Sequence, residues 1–388
     1  MPAPARQALT VVQLLPALDG GGVERSTVEI VQALGRAGHR AVVISAGGRL
    51  QTDIENAGGE HIRLDIGRKS PLALARVLSL RRLLRRLRPD IVHARSRLPA
   101  WLARLALRGW PRADRPRFIT TAHGLHSVNR YSAVMASGEQ VIAVSDTVRR
   151  YLLANYAIDD ARISVIERGI EPAQWPHGWQ PDSAWQRDWR AQYPALAGRR
   201  LLLLPGRGTR LKGHADAIVL LADLVRGDAD ASAETGQPLD CALVLLGADE
   251  PGREHYLEQL RQQAAALGVA ERLVITPPRA DVRAVMALAD LVLQLSSRPE
   301  AFGRTVIEAL ALGRPVLGWC HGGVGELLAR LYPQGAVKPA DAHALLRQAR
   351  SLMSAAEQVP PLPLSTLALM QECTLALYAR LAAERGSR

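Results

Sequence analysis

Two glutamates separated by seven residues are the best-placed residues for chemistry in this chain. Glu300 lies in a turn after the apolar run 291–295, and Glu308 lies about two turns along a helix predicted to start near Phe302 and Gly303. Backbone N–H groups at that helix start, with the helix dipole behind them, form a site for a sugar hydroxyl or a phosphate. Glu308 could then reach a ribose diol. A strand-to-helix turn that carries Glu is also common structural material, so the pair needs support from other residues.

A second strand-to-helix turn carries two cations. The segment 204–214 follows an apolar strand, and Arg207 and Lys212 project from it. Two positive charges at one such turn can clamp a diphosphate. The P-loop pattern GxxxxGK[ST] is absent. The alternative is a salt-bridged turn at the surface, and the residues alone leave both interpretations open.

The first half offers a glycine turn and a histidine. Gly20, Gly21 and Gly22 follow the first predicted strand and open the first helix, where glycine lets a ligand approach the backbone and the helix start favours an anion. The turn is not a GxGxxG, which argues against a dinucleotide cofactor. His123 ends another strand, at the edge where parallel sheets bind ligands. A packing or capping role is the alternative for His123, and the role of His126 stays open.

Metal chemistry has little support. Asp228-Ala229-Asp230 has the DxD form that holds a cation in some transferases, but it lies in a polar insert away from any predicted strand end. Arg207 and Lys212 can replace a metal electrostatically, so none is predicted. The first two of three cysteines lie in apolar runs, which predict buried free thiols. The three are too widely spaced for a CxxC motif: Cys241, Cys320 and Cys373.

The organisation of the chain predicts two domains. A length of 388 residues suits two cores. Apolar strands alternate with amphipathic helices in both halves, which predicts an α/β fold with parallel sheets. The pattern breaks over 172–194, where tryptophans are expected to pin a connection. We predict doubly wound, Rossmann-like domains over 1–175 and 176–364, with ligands bound in a cleft between the carboxyl ends of their strands.

The positive charge is concentrated in the first half. Net charge is +12; residues 1–171 hold 26 Lys and Arg against 15 Asp and Glu, whereas residues 172–388 hold 23 against 22. A basic half predicts an anionic partner, such as nucleic acid, a lipid headgroup surface or a phosphorylated substrate. Leucines form one helical face in 80–88 and arginines the rest, which fits an ordinary solvated helix or attraction to an anionic membrane. No apolar run is long enough to span a bilayer.

Five motifs, in order along most of the chain, resemble those of glycosyltransferase family 4, retaining enzymes of the GT-B fold that use nucleotide-sugar donors. Where the family often has Asn-Gly, this chain has Arg168-Gly169, so the Asn role is not transferred to Arg168. The basic first half and the strand end 92–97 resemble most the bacterial lipopolysaccharide core transferases. The motifs are Gly21 to Glu24, His123-Gly124, the Val-Ile-Ala-Val-Ser segment 141–145, Gly206 to Gly213, and Glu300 to Glu308.

The resemblance implies a role for each of these positions. Arg207 and Lys212 would stabilise the departing nucleoside diphosphate. Glu300 and His123 would contact the donor sugar. Glu308 would bind the ribose hydroxyls. The positions that would bind the donor lie at strand-to-helix turns or along the helices that follow them: Gly21, Gly22, Gly206, Phe302, Gly303 and Glu308.

The resemblance also implies a reaction and its surroundings. Retention without an enzyme nucleophile implies a front-face path, in which the leaving phosphate accepts the proton of the acceptor hydroxyl. The donor would be a nucleotide-sugar, best matched by a UDP-sugar, and the acceptor a lipopolysaccharide core or similar glycolipid, with no metal or other cofactor. A last helix over 365–388 would pack back on the first domain. We expect a cytoplasmic protein, peripheral on the inner face of the plasma membrane.

Two other interpretations stay open. Another GT-B enzyme, a sugar-nucleotide epimerase or a phosphorylase, would share the fold. A phosphorylase would need a lysine for pyridoxal phosphate, and the second domain offers Lys212 and Lys338. A non-enzymatic basic protein that binds membrane or nucleic acid would fit the charge, although no nucleic-acid module is visible.

Overall fold

The chain forms two compact units. One comprises Met1–Gly169 with Ser365–Arg388, and the other comprises Ile170–Leu364. The computed structural model describes residues 8–68, 73–227, 237–354 and 359–386. Among these residues, no helix combines the length and the apolar character that a bilayer crossing needs.

The first unit is a parallel sheet of short apolar strands, most of them buried on both faces, as expected where helices cover both faces. The strand order is β3-β2-β1-β4-β5-β6-β7. Because this order reverses between β1 and β4, the carboxyl ends of these strands border the crevice where doubly wound sheets bind ligands. The strands are β1 (Thr10–Leu14), β2 (Arg40–Ser45), β3 (Glu60–Arg63), β4 (Ile91–Ala94), β5 (Arg117–Ala122), β6 (Gln140–Ala143) and β7 (Ile163–Val165).

Helices cover the two faces of this sheet. Val12 of β1 packs in one apolar cluster and Val11 in another, because successive side chains of a strand point to opposite faces. On the arginine-rich helix of this unit, Leu80 and Leu84 face inward and are fully buried, whereas Leu78 is 48% exposed. The helices are α1 (Gly22–Arg36), α2 (Gln51–Asn56), α3 (Ala73–Leu87), α4 (Arg97–Ala106) and α5 (Asp146–Asn155).

The second unit repeats the same strand order, β10-β9-β8-β11-β12-β13, again with parallel pairs. Its strands are β8 (Arg200–Pro205), β9 (Cys241–Leu246), β10 (Leu273–Ile275), β11 (Leu291–Gln294), β12 (Val316–Trp319) and β13 (Ala336–Val337). Its helices are α6 (Ser183–Gln192), α7 (His214–Arg226), α8 (Glu254–Ala266), α9 (Val282–Leu288), α10 (Arg304–Ala311), α11 (Gly322–Leu331) and α12 (Ala342–Ser354).

The first unit ends at Gly169 rather than at residue 175, because the chain that follows is already attached to the second unit. Arg283 Nη1 donates to the carbonyl oxygen of Gln174 at 2.7 Å, and its guanidinium lies 3.9 Å from the ring centre of Trp179. Trp185 Nε1 donates to Asp281 at 3.0 Å. These tryptophans therefore hold the connecting segment against the second unit, as predicted from the sequence.

The last helix, α13 (Leu367–Gly386), belongs to the first unit. Met370, Leu377 and Leu381 join the apolar cluster of β1 and α1. Tyr378 is fully buried. The chain therefore completes the core of its first unit only with its final helix.

Candidate functional site

The turn after β8 is held against the end of β11. Strand β8 ends at Pro205, and a short 3-10 turn ends at Lys212 before α7 begins. Gly213 has a φ of +76°, and a Cβ at this position would lie 2.0 Å from the carbonyl oxygen of Leu295. Only glycine fits, because a side chain would meet backbone in a conformation that other residues rarely adopt. This close approach places Lys212 beside the loop that follows β11.

Lys212 and Glu300 form an ion pair beyond the carboxyl ends of β8 and β11. Nζ of Lys212 lies 2.7 Å from Oε1 of Glu300, and the two side chains are 26% and 24% exposed. Ser296 Oγ donates to the same carboxylate oxygen. The stem of Lys212 lies over Gly206, where a Cβ would come within 3.2 Å of its Cδ. A partly desolvated cation beside a carboxylate can bind a phosphate and a hydroxyl in one place.

The helix start after β12 supports the loop that carries Glu300. The backbone N–H of Gly323 donates to the carbonyl oxygen of Glu300 at 2.7 Å. His321 Nε2 donates to the carbonyl oxygen of Ser296 at 2.8 Å. None of these supporting residues was predicted from the sequence. The signal was there, because Gly322 and Gly323 are consecutive glycines at another strand-to-helix turn.

Helix α10 presents backbone donors at its start and a carboxylate one turn later. It begins directly after Gly303, whose φ is +114°. Phe302 is only 7% exposed, so its ring is largely closed to a ligand. Glu308 is buried, and Arg304 Nε donates to its Oε1 at 3.0 Å. The arginine on the same helix fixes the position of that carboxylate.

Arg207 shares the turn with Lys212 but is not part of the ion pair. Its side chain is exposed, and its guanidinium makes no hydrogen bond or ion pair with any residue that the structure describes. The interpretation as a salt-bridged surface turn therefore does not fit Arg207. Lys212 does form a salt bridge, but its partner comes from the other predicted site segment rather than from the same turn.

The glycine turn after β1 has conformational reasons of its own. Gly20 and Gly21 have φ angles of +136° and +145°, which other residues rarely adopt. A Cβ on Gly22, the first residue of α1, would meet nothing within 4 Å. The backbone at Gly22 is therefore open to approach, as a phosphate or a hydroxyl at a helix start requires.

His123, directly after β5, lies beside an arginine to which the sequence assigned no role. Nη2 of Arg168 contacts Nδ1 of His123, and Nη1 of Arg168 donates to Ser26 Oγ at 2.6 Å. Nε2 of His123 is buried, with no hydrogen-bond partner in the described parts of the chain. Burial, followed by the charges of Arg168 and Arg95, holds the pKa of His123 well below its usual range. The imidazole is therefore neutral at physiological pH.

A buried polar network lies at the carboxyl end of β4. Nδ1 of His93 lies 2.6 Å from the hydroxyl of Tyr378, and its Nε2 lies 2.6 Å from Thr121 Oγ1. Burial, and then nearby arginines, lower the pKa of His93. Burial also raises the pKa of Tyr378 to about 12. Both groups are therefore neutral, and their hydrogen bonds join β4 and β5 to α13.

The structure bears on the cysteine predictions, whereas metal independence stays a prediction. Within the described residues, no group of three or more His, Cys, Asp or Glu side chains could hold a metal ion. Asp228-Ala229-Asp230 lies outside the described residues. Cys241 is buried as predicted, but the prediction for Cys320 was wrong because it is exposed. Strand β12 ends at Trp319, and Cys320 lies beyond it.

Solved structures share this architecture. A glycosyltransferase from Rickettsia africae superposes with a TM-score of 0.79 at 26% identity, over 97% of this chain and 99% of that one. Anabaena Alr3699/HepE, crystallised with UDP and glucose, has a TM-score of 0.75 at 18% identity, over 95% and 99% of the two chains. The repeated strand order and these structures place the fold in the GT-B class of glycosyltransferases, as predicted.

Sequence comparison supplies the family. The model described as Glycosyltransferase Family 4 matches residues 20–174, and the model described as Glycosyl transferases group 1 matches residues 186–359. The chain belongs to glycosyltransferase family 4. A D-inositol 3-phosphate glycosyltransferase from Acidothermus cellulolyticus is 28% identical over 61% of this chain and 53% of its own length. The chain spans about half the length of the relatives of that name that it matches.

Proposed function

We propose that this protein is a retaining glycosyltransferase that moves a sugar from a UDP-sugar to a hydroxyl of a phosphorylated glycolipid of the lipopolysaccharide core type. The observation that carries the proposal is the ion pair between Lys212 and Glu300. It joins a cation for the leaving diphosphate to a carboxylate for sugar hydroxyls. Family membership supports transfer chemistry, and the UDP and glucose in the Anabaena structure support this donor class.

The second unit would hold the donor. Lys212 exchanges its carboxylate partner for the diphosphate, and the exposed guanidinium of Arg207 closes on the same group. Glu300, released from the lysine, accepts hydrogen bonds from the sugar. The backbone at the start of α10 meets a phosphate or a hydroxyl, and Glu308 holds the ribose diol. The contact of Arg304 with Glu308 keeps that carboxylate oriented before the donor arrives.

The reaction then needs no nucleophile from the protein. The oxygen of the acceptor hydroxyl bonds to the anomeric carbon on the face from which the diphosphate departs. The bond between that carbon and the phosphate oxygen breaks, and the leaving phosphate takes the hydroxyl proton. The products are a glycoside of unchanged anomeric configuration and UDP. Positive charge at Lys212 and Arg207 stabilises the departing diphosphate, so neither a metal nor another cofactor is invoked.

The first unit would supply the remaining contacts. His123 meets a hydroxyl of the transferred sugar, and the open backbone at Gly22, with Gly21 before it, receives a phosphate or a hydroxyl of the acceptor. Nε2 of His123, which has no partner among the described residues, supports the first assignment.

UDP should raise the melting temperature of the protein more than GDP or ADP does. A ligand at 100 times its Kd adds about 2.7 kcal/mol to the free energy of unfolding. A panel of UDP-sugars, assayed for UDP release with a lipopolysaccharide core acceptor, should then show transfer that persists in EDTA. Equal stabilisation by pyrophosphate and UDP would contradict a nucleotide site. Activity abolished by EDTA and restored by magnesium would contradict the metal-free mechanism.

The acceptor class follows from the charge of the first unit. Arg82, Arg85 and Arg86 are exposed on α3, whereas three of the four leucines at 80–87 are buried. An ordinary solvated helix would look the same, but it would not account for the excess of Lys and Arg over Asp and Glu across residues 1–171. The positive charge of the first unit would attract a phosphorylated acceptor at the inner membrane surface, which would favour both encounter and binding. Peripheral membrane association is part of the proposal for that reason.

Vesicles containing anionic lipid should bind the protein at low salt, and neutral vesicles should not. Each arginine near the surface adds about 1 kcal/mol of attraction, and salt weakens it as the screening length falls below about 10 Å. Changing Arg82, Arg85 and Arg86 to Gln should therefore reduce binding strongly in a sedimentation assay.

The matched control removes the same charge elsewhere. Three arginines of the second unit are exposed on helices, and their change to Gln lowers the net charge equally: Arg226, Arg261 and Arg347. This control should bind anionic vesicles almost normally. Equal loss in both triple variants would indicate attraction to net charge alone, and binding to neutral vesicles would remove the membrane claim. The assignment as a transferase would survive either outcome, because it rests on Lys212 and Glu300.

A further inference from the structure

The contact between Arg168 and His123 fixes where the imidazole carries its proton. Arg168 follows β7, and its guanidinium is held by Ser26 Oγ at 2.6 Å and lies 3.6 Å from Met370 Sδ. From there its Nη2 meets Nδ1 of His123. A guanidinium has five N–H donors and no acceptor, so Nδ1 of His123 must be the acceptor and must carry no proton. A neutral imidazole has one N–H, and it must therefore lie on Nε2.

The second ring nitrogen is the one without a partner. Nε2 of His123 is buried and makes no hydrogen bond to any described residue. A buried donor left without an acceptor is costly, so this position fits an oxygen supplied by a ligand.

We propose that Arg168 is a positioning residue that locks His123 in the Nε2–H tautomer, so that His123 donates one hydrogen bond to a hydroxyl oxygen of the transferred saccharide. The identity of that oxygen rests on the proposed function, but the tautomer does not. Because Arg168 occupies Nδ1 of His123, Nε2 of His123 is always a donor. Without the arginine, the same nitrogen could either donate or accept.

Burial and the surrounding groups keep the donor present over a wide pH range. Burial is the largest influence that disfavours a second proton on His123 and so lowers its pKa. The electrostatic influence of neighbouring groups acts in the same direction; these are Arg168, Arg95, His93 and His126. The ring should remain a neutral Nε2 donor at pH values where an ordinary histidine becomes a cation.

Nitrogen NMR of the full-length protein, labelled with ¹⁵N at histidine, tests the tautomer directly. The His123 signals are assigned by their loss in His123→Gln. We expect Nδ1 at the chemical shift of an unprotonated ring nitrogen and Nε2 at that of a protonated one, without change down to pH 6. A protonated Nδ1, or a ring that titrates near the usual histidine pKa of about 6.5, would overturn the proposal.

Two variants separate positioning from simple packing. Arg168→Lys keeps a charged donor and should keep the wild-type His123 spectrum. Arg168→Met removes donor and charge, so the Nε2–H preference should weaken, the pKa of His123 should rise, and kcat for a UDP-sugar should fall about tenfold, with the loss growing at lower pH. A wild-type His123 spectrum in Arg168→Met would contradict the proposal that Arg168 fixes the tautomer of His123. A correct spectrum in a protein without UDP-sugar activity would leave the tautomer standing and count against the proposed function alone.

Discussion

Replacing Lys212 with alanine should lower kcat about 100-fold to 1,000-fold with the donor saturating, the usual cost of losing one charge that stabilises a transition state. The charge of Lys212 acts on the leaving diphosphate, and no residue within the described parts of its turn repeats its contact with Glu300. The fold should survive, because both side chains keep about a quarter of their surface exposed and such pairs contribute little to stability. Steady-state kinetics and a melting curve measure the two effects separately.

Arg210→Ala is the matched control for the lysine. Arg210 lies in the same 3-10 turn, is exposed, and contacts Gln259 and the ring of Tyr256 rather than the ion pair. The substitution of Arg210 removes the same charge from the same turn, and it should leave kcat within a few-fold of wild type. If Lys212→Ala were equally mild, the leaving diphosphate would have to be stabilised by other residues, and the proposed mechanism would fail at its central step.

The fold could be predicted because its strands are unusually explicit in the sequence. Residues 201–204 are four consecutive leucines, and β9 is apolar throughout. Parallel strands buried on both faces require such continuous runs, and amphipathic helices between them imply crossovers. The site turns followed from the same reasoning, because strand-to-helix turns at the carboxyl edge converge in doubly wound sheets.

The contacts between those turns could not be predicted from spacing. Lys212 and Glu300 are 88 positions apart. They meet because β8 pairs with β11, a strand order that no local pattern encodes. Arg168 follows β7, yet its guanidinium reaches His123 after β5, with β6 between the two strands. A long flexible side chain can point in many directions, so its partner is decided by tertiary packing.

Tyr378→Ala should destabilise the first unit by about 3–5 kcal/mol, the usual cost of removing a fully buried aromatic side chain. The ring packs edge-on against His93, with ring centres 5.8 Å apart. Tyr378→Phe keeps the ring and removes only the hydroxyl that lies 2.6 Å from His93 Nδ1. It should cost about 1–3 kcal/mol, because a buried polar nitrogen is left without its partner. Hydrogen exchange of first-unit peptides, followed by mass spectrometry, reports the loss in that unit alone.

Leu369→Ala is the control on the same helix. Its side chain is 52% exposed, so its removal should change the free energy of unfolding by less than about 0.5 kcal/mol. Peptides from the second unit should exchange at wild-type rates in all three variants, because the tyrosine and its partner both belong to the first unit. Unchanged exchange in β4 and β5 of Tyr378→Ala would mean that α13 is not required for the core of the first unit. A loss in Tyr378→Phe equal to that in Tyr378→Ala would instead place the whole effect in the hydrogen bonds of the hydroxyl, which involve His93 and Arg95.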